Sequence, residues 1–90
     1  MSTLLITYNL NKGDDNYEEL FKAIRALGDT WHDARALDSV WFLKTDLTPN
    51  AVHQRLRPAF DKNDNWFIVD ITGAALQGWT PEGLGVWLKR

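Results

Sequence analysis

The chain contains no cysteine and no long apolar run. Without cysteine it has neither disulfides nor thiolate ligands for a metal, which fits a cytoplasmic protein. No apolar stretch approaches the ~20 residues that a helix needs to cross a bilayer. A Gly-rich phosphate loop, a zinc signature and a nucleophile elbow are also missing from the sequence. We therefore expect a cytoplasmic protein with no membrane association and no bound cofactor.

An excess of basic charge is absent as well. The formal net charge is −2, and basic residues come close to clustering only at Arg55–Arg57 and Lys89–Arg90. Nucleic-acid-binding domains usually carry a basic patch or stripe, so nucleic acid is only a weak candidate partner. Tryptophan, by contrast, is abundant, with five in 90 residues. Large aromatic side chains concentrate in cores and at interfaces, so a protein partner stays an open alternative.

The rest of the sequence is organised around an apolar run near its start, Thr3–Asn9. A run of β-branched, aromatic and aliphatic residues that ends in turn residues is typical of a strand buried on both faces. Ninety residues form one domain, and we place this strand at the centre of its sheet. Asn9, at the end of the strand, is the first candidate functional residue.

A helix is predicted next, because apolar residues recur at intervals of three and four. Asp15 and Glu18 are predicted to form a capping box before it, and Gly28 to end it. The turn before this helix is predicted at Lys12–Asp14. The apolar face of this helix consists of Tyr17, Leu20, Phe21, Ile24 and Leu27.

Three further strands and two further helical segments complete the prediction. The second helix begins with Thr48 as its N-cap and Pro49 in its first position, and it ends or bends ahead of Pro58. Thr80–Glu82 opens a short tail helix, which two glycines make marginal. The predicted strands are Thr30–Ala34, Val40–Lys44 and Trp66–Thr72.

This order of elements predicts an α+β domain over residues 1–90, with a ferredoxin-like βαββαβ fold and a short C-terminal tail or helix. Right-handed crossovers place both helices on one face of an antiparallel sheet. The other face is then left bare, although the central strands are apolar on both sides. We therefore expect a homodimer through the sheet face, with the tail covering part of it.

Polar residues beside apolar strands are the candidates for a site. For His32, a structural imidazole bonded within the sheet is favoured over a catalytic one, and Asn9 is expected mainly to shape the turn. Asp70 is either a strand-end residue or the partner of a basic residue across an interface. The predicted binding residues are Tyr8, Asn9, His32, Ser39, Trp41 and Asp70.

Two other groups are conceivable ligands. His53 is interpreted as a solvated flank of the second helix. Asp61, Asp64 and Asp70 are a conceivable carboxylate cluster for Mg²⁺, which prefers oxygen ligands. We favour local turn bonds for Asp61 and Asp64, because Asp and Asn commonly bond their own backbone in loops. No metal site is therefore predicted.

Several short motifs, taken together, resemble those of the small SinR-like proteins. This group is related to the CRISPR-associated endoribonuclease family that partners the integrase, and to the VapD toxins. The resemblance covers most of the chain, from Thr3 to about Ile71. The motifs are Leu5–Leu10, Tyr17-x-x-Leu20, Ile24-x-x-Leu27, Trp31-His32, Ser39-x-Trp41 and Asn63-Asp64.

The resemblance implies a ferredoxin-like homodimer packed through its sheets. In the CRISPR-associated relatives an Asp ends the first strand, and two such residues approach a divalent metal that cleaves phosphodiesters. The matching position here is Asn9, whose amide offers an oxygen but neither the charge that holds Mg²⁺ nor a base. We therefore expect a non-catalytic homodimeric binding or scaffold protein. The alternatives are a Mg²⁺-dependent endoribonuclease using residues around Asn9, and a protein-binding module in phage–host conflict that exposes Trp79 and Trp87.

Overall fold

The structure, a computed structural model, describes residues 1–11, 17–78 and 83–90. Within these ranges it contains four strands and three helices. A single 3-10 turn, Arg57–Ala59, follows the second helix. The strands are β1 (Ser2–Asn9), β2 (Asp29–Trp31), β3 (Val40–Thr45) and β4 (Asn65–Asp70), and the helices are α1 (Glu18–Arg25), α2 (Pro49–Leu56) and α3 (Leu84–Lys89).

The four strands form one antiparallel sheet in the order β2-β3-β1-β4. Leu4 of β1 lies opposite Leu43 of β3 on one side and Asp70 of β4 on the other. This order, with α1 and α2 as the crossovers, is the ferredoxin-like arrangement. The predicted α+β fold class and the central position of the first strand are confirmed.

One face of the sheet forms the main core with α1 and α2. Along β1 the side chains alternate, so that Leu4, Ile6 and Tyr8 point to this face while the residues between them point away. Trp66 and Ile68 of β4 pack against the same core. The fully buried side chains of this core are Leu4, Ile6, Leu20, Ile24, Leu43, Val52 and Leu56.

The second face of the sheet is covered on one half only, by α3. Leu84 and Trp87 pack against Phe42 of β3, and Lys44 donates hydrogen bonds from its Nζ to the carbonyl oxygens of Trp87 and Arg90. Trp87 is buried, so the expectation that it is exposed for a protein partner is wrong. A lysine at the C-terminal end of a helix is favourable because the last carbonyls lack partners within the helix. The two glycines of the tail therefore do not prevent α3 from forming.

The prediction that the first strand is buried on both faces is wrong. Leu5 and Thr7 are only partly buried, because Leu5 lies at the border of the cluster that α3 forms with Phe42 of β3, and Thr7 is not part of that cluster. Their neighbours on β4 are more open, with Phe67 66% exposed and Val69 38% exposed. A patch of sheet surface over β1 and β4 is thus left without a cover among the described residues.

Two strands end earlier than predicted. β2 stops at Trp31, because the Asp33 carbonyl accepts bonds from the N–H groups of Ala36 and Leu37 and starts a turn. β4 stops at Asp70, whose Oδ1 accepts the Thr72 N–H at 2.9 Å. In both places a local hydrogen bond from an aspartate segment competes with the strand ladder.

The termini of the first helix also differ from the prediction. Tyr17 occupies the N-cap of α1 without a side-chain cap, and Glu18 is the first helical residue rather than the third, as a capping box requires. Asp15 and the turn predicted at Lys12–Asp14 lie outside the described residues. α1 ends at Arg25, well before Gly28.

Gly28 has a role other than stopping the helix. A Cβ at this position would collide with the backbone carbonyl of Lys44, so glycine permits the close approach of this segment to β3. The predictions for α2 are confirmed: Thr48 Oγ1 accepts the Ala51 N–H at 3.1 Å, and the helix ends at Leu56, ahead of Pro58. The predicted tail start at Thr80–Glu82 lies outside the described residues.

Candidate binding site

Four of the six predicted site residues meet at one end of the sheet. The Tyr8 N–H donates to the Ser39 carbonyl at 3.2 Å, and Trp41 Nε1 donates to the Tyr8 hydroxyl at 2.9 Å. The His32 ring stacks on Trp41, with centroids 4.2 Å apart and planes 2° from parallel. The hydroxyl of Tyr8 is thus fixed within the core by its bond to Trp41.

The other two predicted residues lie elsewhere. Asn9 is exposed at the end of β1, opposite Asn65 of β4, and its side chain points to the face away from α1 and α2. Asp70 lies at the far end of β4, opposite Leu4, so it is not part of the cluster around Tyr8.

His32 is held by the loop that follows it. Its Nε2 lies 2.8 Å from the Asp38 carbonyl oxygen. A carbonyl accepts only, so Nε2 must carry the proton of this bond. His32 comes directly after the last residue of β2 and is not part of the strand, because the chain turns at Asp33. The imidazole therefore joins the two ends of the β2–β3 connection and stacks on Trp41.

These residues belong to a continuous series of ring contacts on the helix side of the sheet, which we term the aromatic row. Its closest ring pairs are His32 with Trp41 and Phe60 with Trp66, and in each pair the ring centroids are 4.2 Å apart. Offset and edge-to-face contacts of this kind add to the stabilisation from burial. In order, the row consists of His32, Trp41, Phe21, Tyr8, Phe60, Trp66 and His53.

Four of the seven residues of this row were not among the predicted site residues. They are Phe21, which was predicted only as a core residue of the first helix, and Phe60, Trp66 and His53, although Trp66 lies directly opposite Tyr8 in the β1–β4 register. Trp66 Nε1 donates to His53 Nδ1 at 3.0 Å. His53 is half-buried and bonded, so its prediction as a solvated flank is wrong.

The hydrogen bond from Trp66 also determines the tautomer of His53. Because indole Nε1–H can only donate, Nδ1 of the imidazole must be the unprotonated acceptor. The proton of the neutral ring is then on Nε2, which is left as a donor.

Asp64 connects three parts of the chain near this end of the sheet. Its Oδ1 accepts the Asn11 N–H at 2.7 Å and the Tyr17 hydroxyl at 2.6 Å, and its Oδ2 accepts the Asp61 N–H at 2.6 Å. The bond to Asp61 is the predicted local turn bond. The bonds to Asn11 and Tyr17 span the fold and were not predicted, and they explain why this carboxylate is buried, at 6% exposure.

Two aspartates, the exposed Asp70 and the partly buried Asp33, have pKa values displaced by their neighbours. Hydrogen bonding from the Thr72 side chain, and then from the Thr72 N–H, lowers the pKa of the Asp70 carboxyl. The side chain of Arg35, followed by its backbone N–H, lowers the pKa of Asp33 in the same way. Asp70 is therefore engaged with its own strand end.

An open groove of about 480 Å³ runs between α2 and the outer strand β4. Asn50 and His53 line it from α2, and Trp66 and Ile68 line it from β4. Asp64, which is buried, lines the groove as well. The groove combines an apolar wall with hydrogen-bonding groups, which is the composition of a binding site rather than of a packed core.

The described residues form no group of three or more His, Cys, Asp or Glu side chains that would hold a metal ion. In the same ranges, no helix has the length and apolar character that crossing a membrane requires. Comparisons with protein-family models, curated proteins and solved structures gave no significant match for this chain. The indications of function therefore lie in the fold itself, in its uncovered sheet surface and in the groove between α2 and β4.

Proposed function

We propose that this chain is a cytoplasmic, non-catalytic binding or scaffold protein that acts as a homodimer through the uncovered part of its sheet. The observation that carries the proposal is the open patch, defined as Thr7, Phe67 and Val69, with Leu5 at its border, where it packs against the cluster around α3. Phe67 is 66% exposed and Val69 38% exposed, on the face opposite α1 and α2. Apolar side chains grouped in this way on a sheet face are typical of an interaction surface.

The chemistry of the open patch favours a second copy of the chain as the partner. Thr7 lies directly opposite Phe67, and Val69 lies opposite the bordering Leu5, so the open patch is a compact block on two neighbouring strands. The block carries no charge, and two copies related by a two-fold axis would meet without like-charge repulsion. The resemblance to the SinR-like group, which implies sheet-to-sheet packing, supports the same arrangement.

The non-catalytic part of the proposal is supported by the bonding of the polar candidates. Tyr8, His32 and Asp70 each hold a structural hydrogen bond. Asn9 has an amide where the resemblance implies a metal-binding carboxylate. An amide supplies neither the charge that retains Mg²⁺ nor a general base.

Sedimentation equilibrium over micromolar concentrations tests the dimer. We expect self-association of the wild-type chain, and Phe67→Asp should weaken it at least tenfold, because a central aromatic side chain often dominates an interface. Val86→Asp is the matched control, because Val86 is a similarly exposed apolar residue, at 71%, on the outer side of α3. A wild-type chain that remains at 10.3 kDa at all concentrations contradicts the proposal. Equal effects of the two substitutions would indicate unspecific association and contradict it too.

Incubation with structured and single-stranded RNA, with and without Mg²⁺, tests the absence of catalysis. We expect no cleavage by the wild-type chain. Cleavage that requires Mg²⁺ and disappears in Asn9→Ala would instead support the endoribonuclease alternative, with its site at the end of β1. Cleavage that survives Asn9→Ala would also overturn the non-catalytic proposal and would place the site elsewhere.

A further inference from the structure

The outer edge of β4 presents backbone groups that lack a strand partner. β4 is an edge strand of the sheet, and among the described residues it pairs with β1 alone. The Ile71 N–H donates to the Thr3 carbonyl at 2.9 Å, in register with the β1–β4 ladder. Because backbone directions alternate along a strand, Phe67 and Val69 also point their N–H and C=O groups at β1.

The backbone groups of the alternate residues consequently point outward. Trp66, Ile68 and Asp70 present three N–H and three C=O groups along one edge, and no described residue bonds to them. A regular open edge of this kind is a template for an additional strand. The side chains of Trp66 and Ile68 face α2, so the edge and the groove are continuous.

The groove determines which side chains an added strand would require. Alternate side chains of that strand would enter the groove beside Trp66 and Ile68, where aliphatic groups fit. His53 Nε2 bears the proton, because Nδ1 accepts from Trp66, and it offers a donor at the groove wall. A hydrogen-bond acceptor opposite His53 is therefore favoured.

The acceptor is expected to be neutral, because Asp64, a buried acidic residue, is among the residues that line the same groove. An Asp or Glu side chain entering there would be repelled. A second copy of β4 is disfavoured as the added strand for the same electrostatic reason. Antiparallel pairing centred on Ile68 would place Asp70 of the second copy opposite Trp66, on the groove side and near Asp64.

We propose that the β4 edge binds an extended peptide as an added strand, with aliphatic side chains and one neutral acceptor, such as Gln, entering the groove between α2 and β4. This inference rests on the proposed function, in that it names a partner class for the binding protein. It uses the strand edge and the helix side, whereas the dimer uses the opposite face of the sheet. The two proposals can thus fail separately.

Fluorescence anisotropy with a fluorescein-labelled Lys-Lys-Thr-Ile-Thr-Gln-Thr-Ile-Thr peptide is the test. We expect saturable binding by the wild-type chain, weakened at least tenfold when Glu replaces the Gln of the peptide. Two N-methylated peptides, with methyl groups on alternate amides in either frame, probe the backbone bonds. N-methylation in at least one of the two frames should abolish binding, because an added strand needs free N–H groups to bond to the β4 edge.

Two variants of α2 distinguish peptide binding in the groove from peptide binding elsewhere on the surface. Asn50→Trp is expected to fill the groove and weaken peptide binding at least tenfold. Gln54→Trp is the matched control, because Gln54 is an exposed amide on the same helix that does not line the groove, and it should change binding less than threefold. Circular dichroism of both variants verifies that α2 stays folded.

The inference is overturned by an absence of saturable binding, by equal binding of both N-methylated peptides and the parent, or by equal effects of the two α2 variants. Sedimentation of the same samples reports on the dimer independently. Self-association without peptide binding removes only the inference about β4. Peptide binding by a chain that stays monomeric removes only the dimer.

Discussion

Replacing Asp64 by Asn is the perturbation that tests the structure most directly. The two side chains have the same shape, but Asn has one acceptor oxygen where Asp has two. Asp64 is buried, and its oxygens join the N-cap of α1 at Tyr17, the segment after β1 at Asn11 and the loop at Asp61. The substitution therefore changes hydrogen bonding at a point where three elements meet, with little change in packing.

The magnitude follows from the bonds that an amide can retain. If the Asn oxygen takes the place of Oδ1, it keeps Asn11 and Tyr17 as donors, but its NH₂ group then faces the Asp61 N–H. One charge-assisted bond is lost and two are weakened, and a hydrogen bond to a charged group contributes about 1.5–3 kcal/mol. We expect Asp64→Asn to lower the free energy of unfolding by ~2–4 kcal/mol.

Urea unfolding followed by tryptophan fluorescence measures this loss. Tyr17→Phe removes one of the donors, and in a double-mutant cycle with Asp64→Asn the coupling energy should be ~1–2 kcal/mol. Asp46→Asn makes the same change of charge on an aspartate whose side chain is 85% exposed, so it should cost less than ~0.5 kcal/mol.

The reasoning is refuted if Asp64→Asn costs no more than the Asp46 control. It is also refuted if the effects of Asp64→Asn and Tyr17→Phe are simply additive, because the two groups would then not share a bond.

Three further predictions concern α1, α3 and β4. Leu20→Ala should lower the free energy of unfolding by ~2–5 kcal/mol, because Leu20 is fully buried. Lys22→Ala, on the exposed side of the same helix, should change the free energy of unfolding little. Equal losses of stability in the two variants would contradict the packing of the Leu20 face of α1 against the sheet. Lys44→Met should cost ~1–3 kcal/mol and speed hydrogen exchange in α3 selectively, because Lys44 Nζ bonds the carbonyls of Trp87 and Arg90; unchanged exchange would contradict this role. An NMR titration should find the pKa of Asp70 below that of an ordinary aspartate, and closer to the ordinary value in Thr72→Val. Because the pKa of Asp70 is lower in the folded state than in the unfolded state, Asp70 stabilises the fold at pH values above its unfolded pKa. This stabilisation is lost as the pH falls through the folded pKa. If Thr72→Val leaves the pKa of Asp70 unchanged, the Thr72 side chain is not the cause of the lowered pKa.

The sequence by itself determined the elements whose causes are local. Thr48 and Pro49 predict the start of α2, because a capping hydroxyl and a fixed φ act within one turn. Pro58 predicts its end for a similarly local reason. Apolar runs bounded by turn residues predicted the strands, and their order with the helices predicted the ferredoxin-like arrangement.

Strand ends and helix caps were less predictable. Thr30–Ala34 reads as a strand by composition, yet the backbone bonds of Asp33 end β2 at Trp31. Local hydrogen bonding and the strand ladder compete there with similar energies, so composition alone does not decide between them.

Only the tertiary structure decided the site and the uncovered surface. Asp64 bonds to Tyr17 and Asn11, which are 47 and 53 residues away, and His53 bonds to Trp66 from another element. Such partners depend on register and on which face of each strand meets the helices. The position of α3 over β2 and β3, which leaves Phe67 exposed on β4, is likewise set by packing between segments far apart in sequence. Sequence periodicity specifies that a face is apolar, whereas the identity of its cover depends on how distant elements pack in three dimensions.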